Sequence, residues 1–281
     1  YTMKQSIGEG FTLDVLKSFT PVKRWFKLKG KGEDVELPES RGKKELIKWV
    51  DSNPETITRK CGIIIDHLLN TTVKSIEGRG KGFCAGHDLQ EMRINNNENY
   101  LEQFFKQCSL LMQSIVNLPQ PVIAQVHGTA AAAGCQLVAS CDLAIADNKA
   151  TFATPGVNIG LFCSTPMVAV SRKVSRKKMM EMLLLGDLID AKTAMEYGLI
   201  NRCIPSKLLT KAVSEITNKI AGKSPLTLKI GKEAFYKQLE MPLSDAYEYT
   251  SKVMIKNMQA RDAKEGINAF IEKRTPVWTG K

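Results

Sequence analysis

Phe83-Cys84-Ala85-Gly86-His87-Asp88 and Thr129-Ala130-Ala131-Ala132-Ala133-Gly134-Cys135-Gln136 are two turns built of small residues, and the reading of the whole chain depends on them. A small-residue turn that enters a helix leaves main-chain N–H groups free at the positive end of the helix dipole. Without bulky side chains beside it, the backbone is open to a ligand. Two such amides from separate turns, converging on one oxygen, would form an oxyanion hole, often the largest electrostatic contribution to enolate or tetrahedral-intermediate chemistry. Read alone, each turn serves close helix packing equally well, and both readings stay open at this level.

Outward from the turns the pattern alternates. Residues 73–76 read as a strand end, and Glu77-Gly78-Arg79-Gly80-Lys81-Gly82 as the loop leading into the first turn. Leu101, Phe104, Phe105, Cys108, Leu111, Met112, Ile115 and Val116 recur at helical spacing, and Pro119 and Pro121 end that helix. Residues 122–126 and 142–146 read as buried strands, with the second turn and its helix between them. Ser175 and Gly186 bracket a helix over 176–185, and Asp190 opens another that closes at Tyr197-Gly198, before a strand over 199–204. Residues 208–220, 225–238 and 244–273 are three further helical stretches. Towards the N-terminus the signals are weaker: a short strand over 25–29, a charged loop over 30–42, helical turns over 43–50, a break at Asn53-Pro54 and an apolar element over 63–69. The expected architecture is α/β. Residues 1–72 form an atypical N-terminal part of the core, 73–205 the core with both turns, and 206–281 a helical region.

Composition narrows the function classes. The chain has 281 residues, 43% of them hydrophobic, and no apolar run reaches the roughly 20 residues that span a bilayer. It opens on Tyr1 with no signal peptide in view, which leaves a cleaved targeting segment open. The formal charge of +11 suits a polyanion, a membrane surface or a small phosphorylated ligand, but no nucleic-acid-binding module accompanies the dispersed Lys and Arg. Cys61, Cys84, Cys108, Cys135, Cys141, Cys163 and Cys203 contain no CxxC pair and read as reduced, buried thiols. His67, His87 and His127 carry no metal-ligand spacing, so no metal is expected.

An ordered series of motifs resembles the crotonase, or enoyl-CoA hydratase/isomerase, superfamily. It runs from Gly80-Lys81-Gly82-Phe83-Cys84-Ala85-Gly86-His87-Asp88-Leu89 through Pro121-Val122-Ile123-Ala124-Gln125-Val126-His127-Gly128 to Ala133-Gly134-Cys135-Gln136-Leu137. It continues with Cys141-Asp142-Leu143-Ala144-Ile145-Ala146, Ala150-Thr151-Phe152-Ala153-Thr154-Pro155, Asn158-Ile159-Gly160 and Ala194-Met195-Glu196-Tyr197-Gly198-Leu199-Ile200. Gly86-His87-Asp88, Cys163-Ser164-Thr165-Pro166 and Lys273-Arg274-Thr275-Pro276-Val277-Trp278 resemble a mitochondrial branch of that superfamily. The resemblance implies a spiral of β-β-α units with a C-terminal helical lobe, assembled as trimers or dimers of trimers in the mitochondrial matrix. It implies an acyl-coenzyme A thioester as ligand or substrate, with no further cofactor. The thioester carbonyl would bind the amides of Ala85 and Ala133. Coenzyme A would lie along Lys81, Cys84, Ala85, Asp88, Leu89 and Gly134, with Lys273 of the C-terminal lobe.

The departures from the family pattern matter as much. Family hydratases hold a water between two glutamates, and those positions are Gln136 and Gly156 here. Neither can take a proton from water. Leu161-Phe162-Cys163-Ser164-Thr165, where family isomerases often place an acid, has none. His87, Asp88, Cys163 and Ser164 are the polar groups left: Asp88 as support for the loop, His87 as a brace or an acid–base group, and Cys163 as a nucleophile only if a neighbour lowers its pKa. Three functions remain open. They are acyl-CoA binding in fatty-acid metabolism, enzymatic hydratase, isomerase, hydrolase or decarboxylase activity through the oxyanion hole, and an assembly role with a vestigial pocket.

Overall fold

The computed structural model describes residues 73–78 and 82–281. The expectations for 25–29, 30–42, 43–50, 63–69 and the 1–72 unit lie outside the described residues, as do those for Lys81, Cys61 and His67.

Four strands, β1 (Lys74–Glu77), β2 (Val122–Val126), β4 (Leu143–Asp147) and β7 (Arg202–Ile204), form one sheet in the order β1-β2-β4-β7, every pair parallel. All five residues of β2 are buried, as expected of a strand paired and covered on both sides. A second sheet joins β3 (Ala130–Ala131), β5 (Thr151–Ala153) and β6 (Ile189–Asp190), with β3 parallel and β6 antiparallel to β5. The strand expected over 199–204 is shorter and starts only at Arg202, after Asn201, whose main-chain N donates to Ala144 O and whose side-chain Oδ1 accepts from Ala144 N.

Two helices lead from the first turn to β2. Helix α1 (Leu89–Ile94) is short, and α2 (Glu98–Asn117) starts at Asn97, whose side chain accepts from Tyr100 N. Helix α2 buries Cys108, Met112 and Ile115, which are spaced i, i+4, i+7 along one face. Helix α3 (Ala133–Ser140) is buried over nearly its whole length, which its small side chains permit. It packs between α2 and α4 (Ser164–Val170). Helix α5 (Arg176–Leu185) ends at Gly186, with φ of 68°, and α6 (Ala191–Glu196) starts at Asp190, which accepts from Thr193 N. Helix α7 (Leu209–Ala221) covers β2 and β4 from the outside, with Leu209 and Val213 packed on Ile123 and Ile145.

The C-terminal lobe differs from expectation in one respect. The single stretch expected over 244–273 is two helices, α9 (Leu243–Gln259) and α10 (Arg261–Ile271), broken at Ala260 in extended conformation with ψ of 149°. The break places Asp262 in the first turn of α10, where it is buried and accepts from Ser224 Oγ at 2.6 Å, Thr279 N at 2.7 Å and Gly280 N at 3.0 Å. One carboxylate thus ties the tail to the start of α8 (Pro225–Gln238). Helix α8 is fastened to the core by another set of polar contacts. Lys232 Nζ donates to Asp142 Oδ2 at 2.7 Å and to the carbonyls of Ile115 and Gln120, while Tyr236 donates to Asp142 Oδ1. Every donor on the Lys232 ammonium therefore has an acceptor, which is what makes burial of its charge tolerable.

Candidate functional site

The two small-residue turns meet. Phe83 N and Cys84 N both donate to Thr129 O, at 2.9 and 3.0 Å, and Ala131 N donates back to Cys84 O at 2.9 Å. Cys84 and Ala130 form a parallel bridge. Gly134 allows this approach: a Cβ at that position would stand 2.0 Å from Cys84 O. Gly86, with φ of 101°, lies on the other side of the contact, and a Cβ there would be 3.3 Å from Ala133 N. Ala132, at the entry to α3, takes φ 49°, a left-handed conformation that costs a non-glycine residue on the order of 1–3 kcal/mol. Its N donates to Ala153 O and its O accepts from Gln136 N, which hold it there.

Ala85 N and Ala133 N donate to no acceptor among the described residues. Ala85 is exposed and Ala133 is buried, so the junction presents one amide at the surface and one beneath it. We expect Gly134→Ala to destabilise the protein by about 3 kcal/mol, the upper end for forcing extra volume into a packed site. Here the obstacle is a carbonyl of the opposing turn and not a side chain that can swing away. Chemical denaturation checks this, and a variant as stable as the parent would contradict the stated closeness of the turns.

The remaining candidates fall in three places. Asp88 caps α1, its Oδ1 accepting from Gln90 N and Glu91 N, so it shapes the chain just after the first turn, and Leu89 beside it is exposed. Lys273 lies beyond α10, and no hydrogen bond among the described residues joins it to either turn. His87 is half-buried, edge-on to Phe104 and Phe105 of α2, with Nε2 3.4 Å from Cys108 Sγ. Burial lowers its pKa below the ordinary value, which keeps the ring neutral at neutral pH. A histidine depressed in the folded state binds its proton more readily when unfolded. This contribution to stability is therefore complete above about pH 6.5 and is lost as pH falls below it. Urea titrations at pH 7.5 and 5.5 should show a smaller loss in His87→Phe than in the parent.

Gln136 is 4% exposed, and its Oε1 accepts from Cys108 Sγ at 3.9 Å. Gly156 is buried, donates from N to Cys163 Sγ at 3.3 Å, and has no room for a side chain. A Cβ there would lie 2.9 Å from Leu161 O and 3.1 Å from Cys163 Sγ. Burial raises the Cys163 thiol above its usual pKa, and burial with Cys163 nearby pushes Cys135 up to about 12. The Gly156 N–H that donates to Cys163 Sγ works in the lowering direction but is outweighed by burial, so Cys163 lacks the net lowering that a nucleophile needs. Ser164 Oγ turns back to Phe162 O. Among the described residues no three His, Cys, Asp or Glu side chains gather as a metal site, and no helix is long and apolar enough to cross a membrane. Cys108 is the residue that the sequence reading assigned to the core without seeing its polar contacts.

A parallel sheet feeding two clasped, amide-bearing turns, with a helical C-terminal lobe, defines a protein of the crotonase fold. The family model "Enoyl-CoA hydratase/isomerase" matches residues 67–281, and the chain belongs to that family. Within it the chain falls in the branch of enoyl-CoA hydratase domain-containing protein 3. The human protein "Enoyl-CoA hydratase domain-containing protein 3, mitochondrial" is 49% identical over 204 residues, 73% of this chain and 67% of the human one. The Rattus norvegicus protein of that name is 48% identical, over 73% of this chain and 68% of its own. The crystal structure of the human protein superposes with a TM-score of 0.75 at 44% identity, covering 81% of this chain and 94% of that one. An enoyl-CoA hydratase from Mycobacterium smegmatis gives the same TM-score and identity over 79% and 88%. The names of these human and rat relatives place them in mitochondria, and the family resemblance supports that location here.

Proposed function

We propose that this protein binds an acyl-CoA thioester at the junction of the two turns, its carbonyl oxygen held by Ala85 N and Ala133 N, in mitochondrial fatty-acid metabolism. The observation that carries the reading is the pair of amides without acceptors on turns clamped together through Cys84 and Ala130. Gln136 and Gly156, at the positions of the family's glutamates, supply no carboxylate, so the site binds without normal hydratase activity. The alternative is turnover by hydratase, isomerase, hydrolase or decarboxylase chemistry through the same amides. The first turn, from Lys81 to Leu89, and Lys273 would meet the coenzyme A portion.

Calorimetric titration with butyryl-CoA, followed by a crystal structure of the complex, tests the binding. We expect the carbonyl oxygen within about 2.7–3.2 Å of both amides. A thioester bound elsewhere, or no binding, overturns the reading, and measurable turnover across a panel of thioesters would favour the enzymatic alternative.

Assembly as a trimer or hexamer belongs to the same proposal. Tyr247, Met254, Met258, Ile267 and Phe270 stand exposed on α9 and α10, Phe270 at 85%. Met254, Ile255 and Met258 line an open groove of about 550 Å³. Apolar surface of this extent marks an interface. Light scattering should give three or six chain masses, and a monomer at micromolar concentration would refute it.

A further inference from the structure

Cys108 of α2 stands between the two amide-bearing turns. Its Sγ lies 3.4 Å from His87 Nε2, and His87 is two residues past Ala85 in the first turn. On its other side the thiol meets Gln136 Oε1 at 3.9 Å, and Gln136 is three residues past Ala133 on α3. The sulfur is therefore one side-chain contact away from the segment that carries each amide. A thiol, a ring nitrogen beside it and two amides that donate to no acceptor among the described residues are the parts of acyl transfer. They are a nucleophile, its base and a pair of oxyanion donors.

The hydrogen positions this needs are compatible with the contacts. At 3.9 Å the bond from the thiol to Gln136 Oε1 is long, and the S–H gives it up at little cost. With the ring proton on Nδ1, His87 Nε2 is the acceptor that the S–H turns to. Burial keeps the ring neutral near neutral pH, so that lone pair is available. Cys163 differs in this respect: its sulfur accepts from Gly156 N, and an N–H donor takes up no proton.

We propose that Cys108 takes the acyl group from a bound acyl-CoA, with His87 as its base, so that the protein carries the acyl chain on a cysteine thioester. The thiol proton passes to His87 Nε2, and the sulfur attacks the carbonyl carbon whose oxygen is held by Ala85 N and Ala133 N. A carbon–sulfur bond to Cys108 forms, the one to coenzyme A breaks, and the departing thiolate takes the proton back from His87. One thioester replaces another, so the step consumes no water, oxidant or reductant. The reaction rests at that stage. Gln136 and Gly156 offer no carboxylate to activate water, and Cys108, 7% exposed, keeps the new thioester from bulk solvent. This inference rests on the thioester reading above.

The test is intact-protein mass spectrometry of the full chain after incubation with excess butyryl-CoA at neutral pH. We expect a gain of one butyryl group per chain, with matching release of coenzyme A. Neutral hydroxylamine, which cleaves thioesters, should remove the group, and peptide mapping should place it on Cys108. Cys108→Ala should form no adduct yet still bind butyryl-CoA by calorimetry. His87→Phe should bind it too, but form the adduct about 10²–10⁴-fold more slowly, the usual contribution of a general base. Binding without an adduct overturns this inference and leaves the thioester site standing. So does an adduct that resists hydroxylamine or maps to another residue. Failure to bind removes both. Mapping on the unmodified protein decides the matter even if a variant does not fold.

Discussion

Crotonyl-CoA mixed with this protein is expected to be hydrated several orders of magnitude below the ordinary range of roughly 1–10³ s⁻¹. Hydration needs one group to take a proton from water and one to return a proton to the enolate. Each such group typically contributes about 10²–10⁴-fold. The Gln136 amide can hold a water but cannot accept its proton at neutral pH. Gly156 has no side chain, and the position is enclosed by Leu161 O and Cys163 Sγ. His87, in the first turn, has a suitable intrinsic pKa, but its ring is occupied with Phe104, Phe105 and Cys108. Gln136→Glu should therefore recover little on its own, since it supplies one carboxylate where two are needed. Steady-state hydration assays of the parent, with His87→Ala as control, decide the point. A kcat in the ordinary range would show that other groups carry the proton transfers.

Replacing Lys232 with methionine should cost about 3–5 kcal/mol, the range for removing one partner of a buried ion pair. The Lys232 side chain is 7% exposed. Desolvation holds its pKa below the ordinary lysine value, with Asp142 acting in the opposite direction. Methionine has a similar length, so packing is largely kept and the lost charge dominates. Asp142 would retain Val122 N and Tyr236 OH, but the carbonyls of Ile115 and Gln120 would each lose their lysine donor. These contacts join α8 to the end of α2, to the loop before β2 and to Asp142 just before β4, so the C-terminal lobe should loosen first. Urea denaturation measures the total. A loss under 1 kcal/mol would mean that the pair is dispensable, and a tryptophan signal from Trp278 that melts with the core would contradict early loosening of the lobe.

Much of this fold could be read from the sequence where local chemistry is explicit. Ser224, Pro225 and the apolar spacing that follows give α8 the bounds 225–238, and the stripe of Cys108, Met112 and Ile115 locates α2. Helix α1 is only six residues long, too short for periodicity, and the Asp88 cap that creates it was read as loop support. The break at Ala260 leaves no mark in residue type, because alanine is a strong helix former and the apolar spacing runs through it. Its cause is the distant clasp of Asp262 on Ser224 and the tail. The two amide-bearing turns were visible as small-residue runs, whereas their hydrogen-bonded junction joins positions far apart in the chain. The contacts of Cys108 with His87 and with Gln136, across 21 and 28 residues, are invisible for the same reason. Nothing local distinguishes a purely packed cysteine on an apolar stripe from one that also makes polar contacts.

The enclosure of Gly156 also sets an order in which changes at this site can occur. Any side chain at 156 meets the main chain of Leu161 before it meets the thiol of Cys163, so trimming Cys163 alone does not open the position. A descendant of this sequence could acquire an acid there only after the 160–163 segment had been rebuilt by earlier and separately tolerated substitutions. A direct replacement passes through a clashing intermediate, so the present state behaves as a ratchet. Directed evolution towards a carboxylate at 156 should begin with libraries in that segment and come to the glycine last.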